Sequence, residues 1–112
     1  MEITVSQQGK VTVISLVGSI DATEADKFGS ALDAQIKGGY TRLVADLSQL
    51  EFINSTGLRA LVQALKDTNR KGGDLRLASL QPRFLKVLEI TGFTSLFKRY
   101  PTVAAAVASF AA

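Results

Sequence analysis

Residues 42–65 read RLVADLSQLEFINSTGLRALVQAL, and this stretch decides the fold. Its opening, residues 42–47, is nearly continuous in apolar side chains, which is typical of a strand covered on both faces inside a parallel sheet. From Leu58 onward, apolar residues recur at the spacings i, i+3, i+4 and i+7, which predicts an amphipathic helix. A short loop is expected between the two elements. The segment from Leu47 to Leu58 therefore joins a buried strand to a helix.

The chain before this stretch predicts a hairpin followed by a helix. Apolar and polar residues alternate over residues 3–7, a turn follows at Gly9, and residues 11–17 form a β-branched run. Such a pattern is typical of two antiparallel strands. Apolar residues four apart, from Phe28 to Ile36, then lie on one face of a helix.

The chain after this stretch predicts alternating strands and helices. Residues 74–78 indicate a strand, Pro82 opens a helix that Gly92 ends, residues 96–100 indicate a short strand, and Pro101 starts a terminal helix. The resulting order, ββαβαβα(β)α, implies right-handed crossovers and a mostly parallel sheet, made mixed by the hairpin. We therefore expect one α/β domain over residues 1–112.

Composition narrows the class of protein. The chain has 112 residues, of which 46% are hydrophobic, so it can bury a core without disulfides. It has no cysteine, which fits a reducing compartment. The N-terminus lacks the features of a signal peptide, and the apolar tail over residues 103–112 is too short for a membrane span of roughly 20 residues. We expect a cytoplasmic protein with no membrane insertion.

The distribution of charge argues against nucleic-acid binding. The net charge is +3, and the last third of the chain is basic, with five bases against the single acid Glu89. Those bases are spread out and have no interleaved aromatic residues, so a solvated basic face is the favoured interpretation.

Catalytic machinery is largely excluded. With no histidine and no cysteine, nucleophile pairs of the Ser-His and Cys-His type cannot form, and zinc loses its usual ligands. No phosphate-binding glycine loop is present. Asp21 and Asp46 each follow or end a predicted strand and could together hold a hard cation, although capping or solvating a loop is the favoured role of each. We expect no metal, no cofactor and no enzymatic activity.

Ser55 is the candidate functional residue within residues 42–65. It falls at or near the helix N-cap, where its hydroxyl can accept a backbone hydrogen bond worth about 1 kcal/mol. A phosphate there would instead bring roughly −1.5 to −2 charges to the positive end of a helix, which the fold tolerates but a docking surface does not. Two interpretations stay open: helix cap or regulatory hydroxyl. Asp21 is similarly either a helix N-cap, paired with Glu24, or part of a docking face.

Four short motifs carry a resemblance to a known family: Gly18-Ser19-Ile20-Asp21, Asn54-Ser55-Thr56-Gly57-Leu58, Gly72-Gly73-Asp74-Leu75 and Thr91-Gly92-Phe93. In this order and spacing the chain resembles the STAS family, the domain of sulfate transporters and anti-sigma factor antagonists. The stand-alone bacterial antagonists look closest. The resemblance implies a four- or five-stranded mixed sheet with helices packed largely on one side.

The resemblance also implies a mechanism. Ser55 takes the phosphoacceptor position, and the surface that binds the partner is expected from a small group of residues: Asp21, Asn54, Thr56, Gly57 and Arg59. The unphosphorylated antagonist would bind an anti-sigma factor that is also a serine kinase. Phosphorylation would disable it, and a PP2C-type phosphatase would restore it. ATP belongs to the kinase, so no cofactor is implied for this chain.

The chain departs from the family pattern at three positions, and two of these departures, Asn54 and Arg59, favour a second interpretation. Asn54 replaces an aspartate, Arg59 stands where many members have glycine, and Ser19 replaces a glutamate. The alternative is a constitutive STAS subunit of a transporter-associated or stressosome-like complex, in which the same face binds permanently.

Overall fold

Five strands and four helices make up the protein, and the computed structural model describes residues 1–111. The elements in chain order are β1 (Glu2–Gln8), β2 (Val11–Ile20), α1 (Ala25–Lys37), β3 (Arg42–Ile53), α2 (Ser55–Arg70), β4 (Asp74–Ala78), α3 (Pro82–Thr91), β5 (Arg99–Tyr100) and α4 (Val103–Ser109). The order predicted from the sequence is confirmed.

The strands form one mixed sheet in the order β1-β2-β3-β4-β5. β1 and β2 are an antiparallel hairpin, whereas β2–β3, β3–β4 and β4–β5 are parallel pairs. Because parallel strands point the same way, the carboxyl ends of β2, β3 and β4 lie toward one edge of the sheet. The loops that enter α1, α2 and α3 leave from that edge.

Helices cover the two faces of the sheet unequally. The main core packs α1, α2 and α3 against inward side chains of the sheet, and its largest fully buried member is Phe28 of α1. A smaller cluster on the opposite face packs α4, through Ala106, against a group of small strand residues: Val11, Val13, Val44 and Ala78. Three helices lie on one face and one lies on the other, so the expected packing largely on one side is confirmed.

β3 is longer than the sequence indicated. The expected loop after Leu47 is in fact strand, and β3 runs twelve residues to Ile53. The pairing with β2 shifts at two points, between Ser15 and Val17 and between Gly18 and Ser19, and each shift gives β3 one extra residue. These bulges bury Leu47 and Leu50, which are three positions apart, and break the alternation expected of a strand.

Two boundaries near the C-terminus also differ from expectation. The last strand is confined to Arg99–Tyr100, where it pairs with the end of β4, instead of spanning residues 96–100. The terminal helix begins at Val103 and not at Pro101, because the Thr102 side chain caps it by accepting a hydrogen bond from the Ala105 N–H at 3.0 Å. Within residues 1–111 no helix is long and apolar enough to cross a membrane.

Candidate functional site

The start of α2 is fixed by Asn54. Asn54 has an extended backbone (φ −83°, ψ 175°), and its side-chain Oδ1 accepts a hydrogen bond from the Gly57 N–H at 2.8 Å. Its own N–H donates to the Ile20 carbonyl at 2.9 Å, which ties the end of β3 to the end of β2. Asn54 is therefore the N-cap, so of the two interpretations left open for Ser55, the helix cap is wrong.

Ser55 is the first residue of α2 and is exposed. Thr56 is the second residue of α2 and is exposed as well. Since Asn54 makes the capping hydrogen bond, the Ser55 hydroxyl is not required for it. The serine stands at the positive end of a sixteen-residue helix with its oxygen available to solvent or to a partner.

Gly57 lets the helix approach the strand ends. A Cβ built on Gly57 would lie 2.8 Å from Ile20 Cγ2 and 2.9 Å from Ile53 Cγ1, closer than real Cβ atoms come to other heavy atoms. Gly57 is buried, so its role in the site is to set the position of α2 against the ends of β2 and β3.

Asp21 caps a turn directly after β2. Its Oδ1 accepts hydrogen bonds from the Thr23 hydroxyl at 2.8 Å, the Thr23 N–H at 3.0 Å and the Glu24 N–H at 3.3 Å. These bonds, the Thr23 hydroxyl first, lower the pKa of Asp21 below its ordinary value. The α-helix α1 begins after this turn, at Ala25, with Glu24 at its N-cap position. Asp21 thus caps the turn that leads into α1, and its interpretation as the N-cap of the helix itself is wrong. It is exposed and directly follows Ile20, whose carbonyl accepts the Asn54 N–H.

A cleft between α1 and α2 lies next to the serine. Thr56 and Arg59 line it from α2, and Asp26 and Asp33 line it from α1. Arg59 is exposed and has no carboxylate within 4.0 Å among the residues of the described chain. Sequence analysis missed the two aspartates, although their spacing of seven residues places them on one face of a helix.

The structure separates the two acids considered for a cation. Asp46 lies within β3 opposite Ser15, and its Oδ1 accepts the Ser48 N–H at 3.1 Å. Asp21 comes six residues after Ser15 along β2, which corresponds to roughly 20 Å of strand. Within residues 1–111, no three acidic or other metal-ligating side chains lie close enough together to hold a metal ion.

Gln81 is a supporting residue that sequence analysis missed. It precedes α3, and its Nε2 donates to the carbonyl oxygens of Leu50 at 2.9 Å, Ser48 at 3.1 Å and Leu47 at 3.4 Å. β4 ends opposite Asp46, so this part of β3 has lost its strand partner on that side. The Gln81 amide takes the place of the missing strand and holds the segment that leads to Asn54.

Replacing Gln81 with leucine is expected to lower the free energy of unfolding by about 1 kcal/mol, because the Leu47 and Ser48 carbonyls lose the Gln81 donor and the Leu50 carbonyl keeps only Arg83 Nη2 at 3.3 Å. Faster amide hydrogen exchange in residues 47–53 would accompany the loss. Chemical denaturation and exchange mass spectrometry measure both effects. Gln63→Leu is the control. The Gln63 side chain donates an exposed hydrogen bond to Asp67 of the same helix at 3.0 Å, so this substitution should change the free energy of unfolding by less than about 0.5 kcal/mol. Equal effects of the two substitutions would remove Gln81 from this role.

Comparison with known proteins places this architecture in one class. The STAS domain profile matches residues 2–106. The chain belongs to the STAS domain family, as its motifs indicated.

Its relatives within that family are named as antagonists of anti-sigma factors. BtrV of Bordetella bronchiseptica, named as a proposed anti-sigma factor antagonist, is 33% identical over 110 residues that cover 98% of this chain and 95% of BtrV. The anti-sigma-B factor antagonist of Listeria monocytogenes is 35% identical over 86 residues, 76% of this chain and 75% of that protein. The crystal structure of an anti-sigma factor antagonist from Mycobacterium paratuberculosis superposes with a TM-score of 0.89 at 27% identity, covering 99% of this chain and 94% of that one.

Proposed function

We propose that this protein is an anti-sigma factor antagonist that binds an anti-sigma factor when Ser55 is unphosphorylated and releases it when Ser55 is phosphorylated. The observation that carries the proposal is that different residues cap α2 and present a free hydroxyl at its N-terminus. Asn54 caps the helix, which leaves an exposed Ser55 hydroxyl that the fold does not need. The relatives' names support the choice of partner.

Phosphorylation would switch docking without unfolding the domain. The expected docking face consists of Asp21, Asn54, Thr56 and Arg59, set around Ser55 by the packing of Gly57. A phosphate on Ser55 adds roughly −1.5 to −2 charges at a helix N-terminus, where the helix dipole accommodates it. A partner surface complementary to the uncharged serine would meet this charge as a repulsion, and like-charge contacts across an interface cost several kcal/mol.

The proposed cycle needs two partner enzymes and no chemistry from this chain. The anti-sigma factor, acting as a serine kinase, transfers the γ-phosphoryl group of ATP to the Ser55 oxygen, while the hydroxyl proton leaves and ADP is released. A PP2C-type phosphatase hydrolyses the phosphoserine and restores the antagonist. This chain is the regulated substrate, with no cofactor and no enzymatic activity of its own, and it acts in the cytoplasm without binding nucleic acid.

A constitutive STAS subunit of a transporter-associated or stressosome-like complex is the second candidate. It is favoured by the residues at positions 54 and 59, which depart from the family pattern. Asn54 keeps the capping hydrogen bond that an aspartate would make, so the fold does not require the family's charge. In this case the same face would bind its partner in either phosphorylation state.

The test is to incubate the purified protein with ATP and the anti-sigma kinase of the same genome. We expect a single added phosphate in the intact mass, mapped to Ser55, absent from Ser55→Ala and retained in Thr56→Ala. Affinity for the kinase, measured by calorimetry, should fall at least tenfold on phosphorylation. No phosphate from a kinase that is active on another substrate, or unchanged affinity after phosphorylation, would favour the constitutive subunit.

A further inference from the structure

We infer that Arg59 binds the phosphate carried by Ser55, so that the switched-off state of this protein is stabilised from within the same helix. The inference rests on the proposed function, since it concerns the modified form of Ser55. It adds a residue to the switch and explains why position 59 carries a cation.

The spacing brings the two side chains together. Ser55 and Arg59 are the first and fifth residues of α2, and residues four apart lie on the same face of a helix. Both are exposed, so neither has to leave a packed position to reach the other. The guanidinium has five donors in a planar fork that suits phosphate oxygens.

Arg59 is free to take this role. No carboxylate of the described residues lies within 4.0 Å of it, whereas Arg70 of the same helix pairs with Asp67 at 3.0 Å. It is also the only base among the described residues that line the cleft beside Thr56. Among the described residues that line this cleft, Arg59 is therefore the one cation available to a phosphate on Ser55, the residue before Thr56.

Asn54 favours the same outcome. Its neutral amide caps the helix through Oδ1 and leaves no carboxylate charge beside the phosphate, which an aspartate at this position would add. The N–H groups of Ser55 and Thr56, in the first turn, have no intrahelical acceptor. Removing an anion at position 54 and placing a cation at position 59 both stabilise a phosphate on Ser55.

Acidic groups of the neighbouring elements act in the opposite direction, although one of them, Asp33, is paired with Lys37 at 2.9 Å. Asp21 follows β2, Glu51 lies in β3 four residues before Ser55, and Asp26 and Asp33 face the cleft from α1. Each of these acids opposes the second ionisation of a phosphate. Arg59 therefore lowers the second pKa of the phosphate, whereas its acidic neighbours raise it.

The test uses full-length protein with phosphoserine incorporated at position 55 during translation, so it requires no kinase. The second pKa of the phosphate, ordinarily about 6, is measured by phosphorus NMR in the parent and in Arg59→Gln. We expect this pKa to be at least about 0.3 unit higher in Arg59→Gln, because the cation favours the dianion. Arg59→Lys should restore part of the difference. Lys66→Gln removes an exposed cation further along the same helix and should leave the pKa unchanged.

The outcomes separate this inference from the proposed function. An unchanged phosphate pKa in Arg59→Gln, or an equal rise in Lys66→Gln, would overturn the role of Arg59, even if phosphorylation still releases the partner. Conversely, a raised pKa in Arg59→Gln supports that role even if the phosphorylated protein still binds the anti-sigma factor, which would overturn the proposed switch alone. A circular dichroism spectrum of each variant verifies that α2 remains helical.

Discussion

Replacing Gly73 with alanine is expected to destabilise this protein by about 2–4 kcal/mol. A Cβ on Gly73 would lie 1.9 Å from the carbonyl oxygen of Thr41 and 2.6 Å from its carbonyl carbon. These are backbone atoms, and the Thr41 oxygen is held by the Asp74 N–H at 2.9 Å. Either β4 must shift away from β3 at its first residue pair, or the turn after α2 must rebuild. Overpacking of this kind usually costs about 1–3 kcal/mol, and loss of the hydrogen bond between the half-buried residues Thr41 and Asp74 adds about 1 kcal/mol.

The loss should be visible as a melting temperature lower by about 8 °C or more, since a domain of this size loses about 4–8 °C per kcal/mol. Gly72→Ala is the matched control. A Cβ on Gly72 meets nothing within 4 Å, but the residue has φ +81°, a conformation that costs alanine roughly 1 kcal/mol. The melting temperature of Gly73→Ala should therefore be well below that of Gly72→Ala. The reverse order would show that backbone conformation, and not the approach of Thr41, makes this turn depend on glycine.

Local patterns in the sequence were sufficient for most of the architecture. Leu58 and Phe28 mark the buried faces of α2 and α1 through helical spacing alone, and both are buried as predicted. Gly92 ends α3 in the left-handed conformation, with φ +79°. These features depend on neighbours within a turn or two of chain, which a single sequence displays.

The features that escaped prediction depend on contacts between distant segments. The polar residues after Leu47 resemble a loop, and only the bulged pairing with β2 makes them strand. Asn54 and Ser55 are equally good N-caps by residue type. The choice falls to Asn54 because its N–H is bound to Ile20, which keeps the chain extended as far as that residue. Gln81 contacts β3 across more than thirty residues of sequence, and no sequence periodicity predicts such a contact.

The same kind of distant contact makes Gly57 the residue on which the switch geometry depends most. Replacing it with alanine is expected to destabilise the protein by a net of up to about 2 kcal/mol, from about 1–3 kcal/mol of overpacking less about 1 kcal/mol of gained helix propensity. Ile20 and Ile53, the side chains that the new methyl group would strike, are β-branched and stiff at χ1, and Ile20 is fully buried. They cannot turn aside easily, so the start of α2 must move outward.

The displacement would act on function as well as on stability. The new Cβ would also come within 3.3 Å of Asn54 Oδ1, which strains the capping bond that leaves Ser55 free. We expect weaker binding of the anti-sigma factor by Gly57→Ala, measured at a temperature where the variant is still folded. Gly29→Ala is the matched control, because its Cβ meets only Ala60 Cβ at an ordinary 3.6 Å, so helix propensity should raise stability by up to about 1 kcal/mol. In thermal denaturation, we expect Gly57→Ala to lower the melting temperature and Gly29→Ala to raise it. Stabilisation of both would mean that α2 can move away from β2 and β3 at little cost, and that Gly57 does not set the position of Ser55.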